Sequence, residues 1–204
     1  MERLIQGFHH FRRHMTAEQR ELFARLASGQ TPHTMFITCA DSRVMPELMF
    51  AAQPGDIFVY RNVGNIVPPY AQHVSGVMAA IEYAVAALKV QHIVICGHSD
   101  CGAMKAVLAQ SVAEGSALHD WLRHAEPSLL RLAATVGEDA EMPANERLCL
   151  ANIAQQLTNL LSYPNVAAAV AAGKVKLVGM YFDIAAAKAF LVDPDRRALR
   201  DITV

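Results

Sequence analysis

His98 and Cys101 lie three residues apart in the segment Gly97-His-Ser-Asp-Cys-Gly102, directly after an apolar run. At a turn from a strand into a helix, this spacing lets both side chains converge on one point. A thiolate at the start of a helix is also stabilised by the helix dipole, which lowers its pKa. The segment therefore predicts two ligands of a metal site.

Cys39 is the third candidate ligand, because it ends another apolar run that could lie beside the first. Two thiolates and one imidazole suit Zn²⁺. Three protein ligands leave one tetrahedral position open, and an open position distinguishes a catalytic zinc from a structural one. We therefore expect Cys39, His98 and Cys101 to bind zinc as a catalytic ion.

Asp41 and Arg43 follow Cys39 at steps of two residues. In extended geometry Asp41 could face the same side as Cys39. Two arrangements are open at this stage. Asp41 could become a fourth ligand that closes the site, or it could pair bidentately with Arg43 and accept a hydrogen bond from zinc-bound water. The second arrangement would orient a zinc-bound hydroxide as a nucleophile.

Other motifs give weaker predictions. The Gly97-His98-Ser99 segment resembles the start of a G-x-S-x-G nucleophile elbow, but the fifth position is Cys101 instead of glycine. Neither a dinucleotide-binding G-x-G-x-x-G nor a phosphate-binding P-loop motif follows any apolar run. We interpret Cys96 and Cys149 as small buried hydrophobic residues.

The elements that must position these residues follow from the hydrophobic pattern. Short apolar runs typical of buried parallel strands occupy residues 35–39, 57–60, 93–96 and 175–182. Helical patterns lie at residues 74–89, 102–113, 117–136 and 144–162, and in a short stretch that ends at Gly173. This alternation predicts an α/β fold with a mostly parallel central sheet of about four parallel strands, flanked by helices, and it allows an antiparallel fifth strand. Ligands of such sheets bind at the carboxyl ends of the strands, where the candidate residues lie.

The N-terminal segment has a different pattern. Residues 1–28 have the spacing of an amphipathic helix that is interrupted near Thr16, which could cap a second helical segment. Such an arm could pack on its own domain or on a second subunit. We therefore predict an N-terminal helical arm, residues 1–28, and a single α/β zinc-binding catalytic domain, residues 29–204.

The composition excludes several classes of protein. The sequence is 53% apolar and 18% charged, with a net charge of −1, which is unlike a disordered chain. Its longest apolar run, residues 166–172, is too short for a membrane span of about 20 residues. A pI near 6.7 gives no electrostatic support for binding nucleic acid or an anionic membrane. The four cysteines and the lack of a secretory pattern in residues 1–15 indicate a reducing, cytoplasmic compartment.

Four segments together form a specific set of motifs. They are Cys39-Ala-Asp-Ser-Arg43, Arg61-Asn-Val-Gly-Asn-Ile-Val-Pro-Pro-Tyr70, Ile81-Glu-Tyr-Ala-Val85 and Gly97-His-Ser-Asp-Cys-Gly-Ala103. With these segments, roughly residues 28–183 resemble the β-class carbonic anhydrases, and details resemble the plant-type branch, which includes bacterial members.

The resemblance implies a lyase that reversibly hydrates carbon dioxide to bicarbonate and a proton. It implies one Zn²⁺ per subunit held by Cys39, His98 and Cys101, with Asp41 and Arg43 as the catalytic dyad.

The resemblance also implies a substrate pocket for CO₂ or bicarbonate. Its residues would be a hydrogen-bond donor, three apolar side chains and a backbone amide, namely Gln30, Phe58, Val63, Tyr83 and Gly102. In that family the pocket lies at a dimer interface and the N-terminal helices clasp the partner. A homodimer or a higher homo-oligomer is therefore expected.

This sequence departs from the family pattern at three places. Phe36 stands where the bicarbonate-inhibited branch has a tryptophan, which favours an open zinc with Asp41 on Arg43. Ala87 stands where some plant enzymes have a histidine thought to shuttle protons. Residues 184–188 indicate a helix where a turn is expected before an antiparallel last strand.

Two alternative functions remain open from the sequence. The same zinc site could hydrolyse CS₂ or COS. The protein could also be a non-catalytic zinc-binding homologue with Asp41 as the fourth ligand.

Overall fold

The computed structural model describes residues 1–71, 74–134, 142–195 and 198–202. A six-stranded sheet of order β2-β1-β3-β4-β5-β6 forms its centre. In chain order, the strands are β1 (Thr34–Cys39), β2 (Ile57–Asn62), β3 (His92–His98), β4 (Lys176–Asp183), β5 (Lys188–Val192) and β6 (Leu199–Asp201). The first four are mutually parallel, and β5 and β6 add antiparallel pairs. The predicted fold class is confirmed.

Helices surround the sheet. They are α1 (Glu2–His14), α2 (Ala17–Leu26), α3 (Pro46–Met49), α4 (Gly76–Glu82), α5 (Gly102–Ala109), α6 (Ala117–Leu122), α7 (Glu126–Ala133), α8 (Ala144–Leu160) and α9 (Pro164–Ala171). Among the described residues, none of these helices has the length and apolar character that crossing a bilayer requires.

Two predicted helices are interrupted. A π-helical turn, Tyr83–Ala87, follows α4. The stretch predicted at 117–136 is divided into α6, a 3₁₀ turn and α7, where Pro127 stands in the first turn of α7. Proline has no N–H and clashes with the preceding turn, so it begins a helix more easily than it continues one. Residues 135 and 136 of that prediction lie outside the described residues.

The prediction of a helix at residues 184–188 is wrong. Residues 184–187 form a turn, with Ala187 in the left-handed region at a φ of 51° and Ala186 N donating to Asp183 Oδ1. The turn is closed by the antiparallel pair Asp183 and Lys188, the first pair between β4 and β5. Strand pairing therefore overrides the helical propensity of the alanines.

The second helix of the N-terminal segment begins at the residue that the sequence indicated as its cap. Thr16 caps α2 through a capping box, in which its hydroxyl accepts from Gln19 N and the Gln19 side chain accepts from Thr16 N. Neither α1 nor α2 contains a buried residue. Large apolar side chains of α1 are exposed, among them Leu4, Ile5 and Phe8. The arm therefore presents an apolar surface that the described chain does not bury.

Helix α8 packs unusually close to the sheet. A Cβ atom added at Gly97 in β3 would lie 2.9 Å from Ile153 Cδ1, and one added at Gly179 in β4 would lie 3.0 Å from Ile153 Cγ2. Only glycine at both positions leaves room for this isoleucine. As a result, α8 lies directly against the end of β3 that carries His98.

Three buried amide side chains on α8 hold the loop that follows β2. Asn152 Nδ2 donates to Gly64 O at 3.0 Å, and Gln156 Oε1 accepts from Val67 N at 2.8 Å. Asn159 Nδ2 donates to Val67 O at 2.8 Å. The backbone of this loop is thus satisfied by α8 instead of by a strand neighbour.

Replacing Gln156 with methionine is expected to destabilise the protein by about 1–3 kcal/mol, because the buried Val67 N–H loses its acceptor. Urea unfolding measures the change. Thr158→Ala is the matched control, since Thr158 is exposed on the same helix and its replacement should change the free energy of unfolding by about 0.5 kcal/mol or less. Equal unfolding midpoints for Gln156→Met and the unmodified protein would contradict the prediction.

Candidate metal centre

The structure brings the three predicted ligands together. Cys39 ends β1 and His98 ends the neighbouring strand β3, while Cys101 occupies the cap position immediately before α5. Their potential ligand atoms all lie within 4.8 Å of one another, and all three residues are buried. A single ion could therefore contact all of them.

The imidazole of His98 presents a free nitrogen to this cluster. Its Nδ1 lies 2.8 Å from Ser99 O, a contact that places the ring proton on Nδ1. Its Nε2 is buried and lacks a hydrogen-bond partner among the described residues. A buried polar atom without a partner is uncommon and requires an explanation. A metal ion at this nitrogen supplies one.

The two sulfurs also favour a cation. Hydrogen bonds from the thiols of Cys149 and Cys39 lower the pKa of Cys101. The pKa of Cys39 is raised by its hydrogen bond to Cys101, by burial and by the negative charge on that neighbour. Two buried thiolates this close repel each other unless a positive charge lies between them. The donor set therefore fits a metal ion that accepts sulfur and nitrogen ligands, as Zn²⁺ does.

Asp41 pairs with Arg43 through both carboxylate oxygens. Arg43 Nε donates to Asp41 Oδ1 at 3.0 Å, and Arg43 NH2 donates to Oδ2 at 2.7 Å. This pairing lowers the pKa of Asp41 to about 2. Asp41 Oδ2 also lies 3.9 Å from His98 Nε2. The structure thus has the bidentate arrangement, with an ionised carboxylate beside the metal cluster.

Asp100 and Arg61 also support the cluster, although the sequence pattern indicated no role for either. Arg43 NH1 donates to Asp100 Oδ2 at 2.9 Å, which joins the two ligand-bearing loops. Arg61 donates to the backbone oxygens of Cys39 and Asp41. The position of Asp100 between two predicted ligands was a signal in the sequence that could have identified it. The role of Arg61 could not be identified in this way, because it depends on the pairing of β1 with β2.

The predicted pocket residues come from different elements of the fold. Phe58 in β2 is half-buried, and its ring centroid lies 5.9 Å from that of Tyr83. Val63 and Tyr83 are 41% and 49% exposed, respectively. Gly102 begins α5 directly after Cys101. Gln30 is exposed in the loop between α2 and β1. The rings of Phe58 and Tyr83 are in contact, and the side chains of Val63 and Tyr83 leave an apolar surface exposed.

The remaining cysteines are buried, as predicted, but in different surroundings. Cys96 packs with Phe36 in a small cluster on the opposite face of the sheet from Cys39. Cys149 on α8 interacts with Cys101 and lowers the pKa of that thiol, so it lies closer to the metal cluster than the sequence indicated.

Ser99 does not have the environment of a nucleophile. Its hydroxyl accepts a hydrogen bond from Ile184 N at 2.9 Å. This contact fastens the turn that carries His98 to the end of β4, and the nucleophile-elbow interpretation is not supported.

Comparisons of the sequence and of the structure with known proteins all indicate the same family. The family model described as carbonic anhydrase matches residues 34–189. A carbonic anhydrase of Pseudomonas aeruginosa is 44% identical over 186 residues, which cover 90% of this chain and 84% of that protein. The solved structure of the β-carbonic anhydrase CcaA has a TM-score of 0.90 at 36% identity and covers 98% of both chains. One of two tetrameric β-carbonic anhydrases from Sordaria macrospora has a TM-score of 0.78 at 29% identity, over 100% of this chain and 96% of that one.

Proposed function

Because this chain belongs to the β-carbonic anhydrase family, we propose that zinc and a nucleophile oriented by Asp41 carry out its reversible hydration of carbon dioxide. One zinc ion per subunit would be held by Cys39, His98 and Cys101. The observation that carries the proposal is the unpaired Nε2 of His98, which lies among two buried sulfurs and 3.9 Å from a carboxylate oxygen of Asp41.

Each residue of the site has a distinct part in this mechanism. When bound, zinc supplies the acidity that makes hydroxide available near neutral pH. Asp41 accepts a hydrogen bond from the nucleophile and so directs its lone pair towards CO₂. Arg43 binds both oxygens of Asp41, which keeps the carboxylate ionised and prevents it from turning to become a fourth ligand.

The pocket residues would hold the substrate. The apolar surface of Phe58, Val63 and Tyr83 suits a CO₂ molecule, which has no net dipole. Gln30 and the backbone amide of Gly102 would donate hydrogen bonds to the oxygens that gain negative charge as bicarbonate forms. Bicarbonate then leaves as water replaces it, and a proton is released to solvent.

Activity is expected to rise with pH between about 6.5 and 9. Two thiolates donate negative charge to the metal, so the catalytic water should ionise above the value of about 7 found with three neutral histidines. The pKa of Asp41, about 2, is too low to produce a change in this range. Asp41 is fully ionised above about pH 4, so the nucleophile alone should set the profile.

A stopped-flow CO₂ hydration assay across this pH range, with the zinc content measured on the same samples, tests both the proposal and the profile. The rate should fall about tenfold per pH unit on the acidic side of the water's pKa. Circular dichroism at each pH serves as the control for folding. A zinc-loaded sample with no hydration activity at any pH would overturn the proposal.

The alternative of a closed, non-catalytic zinc site is disfavoured by one contact set. Both carboxylate oxygens of Asp41 are already bound to Arg43, so ligation would require that ion pair to break. Parallel assays with COS and CS₂ would establish whether the same site accepts these substrates.

The exposed apolar surfaces support assembly with further copies of this chain. The arm of α1 and α2 buries none of its residues, and the pocket wall at Val63 and Tyr83 is open. A second subunit would cover both, and the similar protein from Sordaria macrospora is tetrameric. We therefore propose a homodimer or a higher homo-oligomer, with residues 1–28 as the arm and residues 29–204 as the catalytic domain.

The proposed zinc ligation also has a consequence for the compartment. All four cysteines are free thiols. Because ligation requires two of them to remain reduced, a reducing compartment such as the cytoplasm suits the site.

A further inference from the structure

The turn between the second and third ligands has an unusual backbone. Asp100, which lies between His98 and Cys101, has a φ of 58°. This left-handed conformation is disfavoured for residues other than glycine, although aspartate tolerates it better than most. The turn must therefore be held from outside if its two flanking side chains are to keep a fixed separation.

The first half of the turn is fastened to β4. Ser99 N donates to Phe182 O at 2.9 Å, and the Ser99 hydroxyl accepts from Ile184 N at 2.9 Å. These bonds extend the pairing of β3 with β4 by one residue beyond His98.

The second half of the turn is held by Glu146 in the first turn of α8. Glu146 Oε1 accepts from Asp100 N at 2.9 Å, and Oε2 accepts from the hydroxyl of Tyr181 in β4. Asn145 Nδ2 donates to Oε1 at 3.0 Å. The carboxylate is thus fixed by side chains from a helix and a strand, and it presents one oxygen to the peptide N–H of Asp100.

Tyr181 is suited to the role of donor in this arrangement. Its side chain is buried, and burial together with the hydrogen bond to Glu146 raises the pKa of the phenol. The hydroxyl therefore keeps its proton at all physiological pH values and remains able to donate it to the carboxylate.

We propose that Glu146 is a positioning residue of the metal centre, which fixes the left-handed turn at Asp100 and thereby sets how firmly His98 and Cys101 hold the ion. The inference rests on the proposed function, because it takes these two residues as zinc ligands. Residues that orient metal ligands typically change metal affinity or activity by about 10- to 100-fold when they are replaced.

A matched pair of variants separates the hydrogen bond from the rest of the side chain. Glu146→Gln keeps an oxygen that can accept from Asp100 N, whereas Glu146→Met has a similar length and helix propensity but no strong acceptor. The measurement is the rate at which zinc-loaded protein releases its metal to an excess of a chromogenic chelator. Glu146→Met should release zinc about 10- to 100-fold faster, and Glu146→Gln should restore the rate to within about threefold of the unmodified protein.

Control measurements make the outcome specific. Glu126→Gln removes an exposed carboxylate that pairs with Arg123 on the surface, and it should leave the release rate unchanged. The absorption spectrum of cobalt-substituted Glu146→Met should change in intensity, because the ligand angles change with the turn. If Glu146→Met does not fold, Tyr181→Phe provides the test, since the loss of that donor frees the carboxylate and should speed release several-fold.

The results that overturn the inference are distinct from those that overturn the proposed function. Zinc release from folded Glu146→Met at the unmodified rate, or equally fast release from Glu146→Gln and Glu146→Met, would refute the positioning role. If Tyr181→Phe is used because Glu146→Met does not fold, an unchanged rate of zinc release from Tyr181→Phe would also refute the positioning role. Unmodified protein that binds no zinc would instead refute the proposed function.

Discussion

Replacing Cys101 with alanine is expected to remove both the metal and the activity. The thiol is one of three proposed protein ligands and is buried beside the other two, so no external ligand can easily replace it. The zinc content should fall from one per chain to near zero. The hydration rate should fall to the uncatalysed value, a loss of about 10⁶-fold or more if the enzyme has an ordinary rate enhancement.

Cys96→Ala provides the matched control for this prediction. Cys96 lies in the same strand as His98 and is equally buried, but its side chain packs with Phe36, apart from the cluster that contains Cys39 and Cys101. Its replacement removes a buried sulfur without touching the metal cluster, so zinc content and activity should stay within about threefold of the unmodified protein. Metal analysis and stopped-flow hydration are performed on both variants. Full activity in a metal-free Cys101→Ala sample would refute the zinc mechanism.

Replacing Asp41 with asparagine is expected to lower turnover by about 10²- to 10³-fold while zinc stays bound. Groups that exchange protons or orient a nucleophile in this way usually contribute 10²- to 10⁴-fold. Asparagine has one oxygen and one NH₂ group, so it cannot accept from both Arg43 and the nucleophile as the carboxylate does. The loss should appear in kcat, because Asp41 lies beside the ligand cluster and does not belong to the proposed substrate pocket.

Asp100→Asn distinguishes the orienting role of Asp41 from a contribution to general charge. Asp100 binds the other side of the same guanidinium, through Arg43 NH1, and its side chain is half-exposed. Its replacement should lower activity by less than about tenfold, because the ion pairs it makes with Arg43 and Lys105 are partly exposed. Loss of zinc from Asp41→Asn would show that the carboxylate has a structural role instead of a catalytic one.

Arg43→Ala tests whether the ion pair keeps the site open. Without Arg43, Asp41 is free to turn towards an ion held by His98, whose Nε2 is 3.9 Å from Asp41 Oδ2. The cobalt-substituted variant should then show a spectrum that responds little to added anions, whereas the unmodified protein should respond. Equal anion responses would mean that Arg43 is not required to keep Asp41 from the metal.

Much of the fold was predictable because it depends on local pattern. Buried parallel strands require short, nearly continuous apolar runs, and the four such runs became β1 to β4. Thr16 was recognisable as a helix cap because its hydroxyl acts on a residue three positions away. The turn at residues 184–187 was not predictable in this way, since its alanines favour a helix and only the pairing of β4 with β5 prevents one.

The proposed ligands were also determined by the sequence itself. Cysteine and histidine at the ends of apolar runs have few other roles when the cysteines are free thiols, and parallel strands bring their carboxyl ends to one edge of the sheet. The structure places Cys39, His98 and Cys101 together as this reasoning requires. The roles assigned to Gln30 and Gly102 remain predictions.

Only the tertiary structure decided how these ligands are supported. A spacing of two residues allows Asp41 either to bind a metal or to pair with Arg43, and the folded geometry selects the pair. Glu146 reaches Asp100 across 46 positions of sequence, and Tyr181 reaches Glu146 across 35. Such contacts depend on how close α8 lies to β3 and β4. That distance is small because Gly97 and Gly179 have no side chains, and no local sequence pattern shows which helix will pack against them.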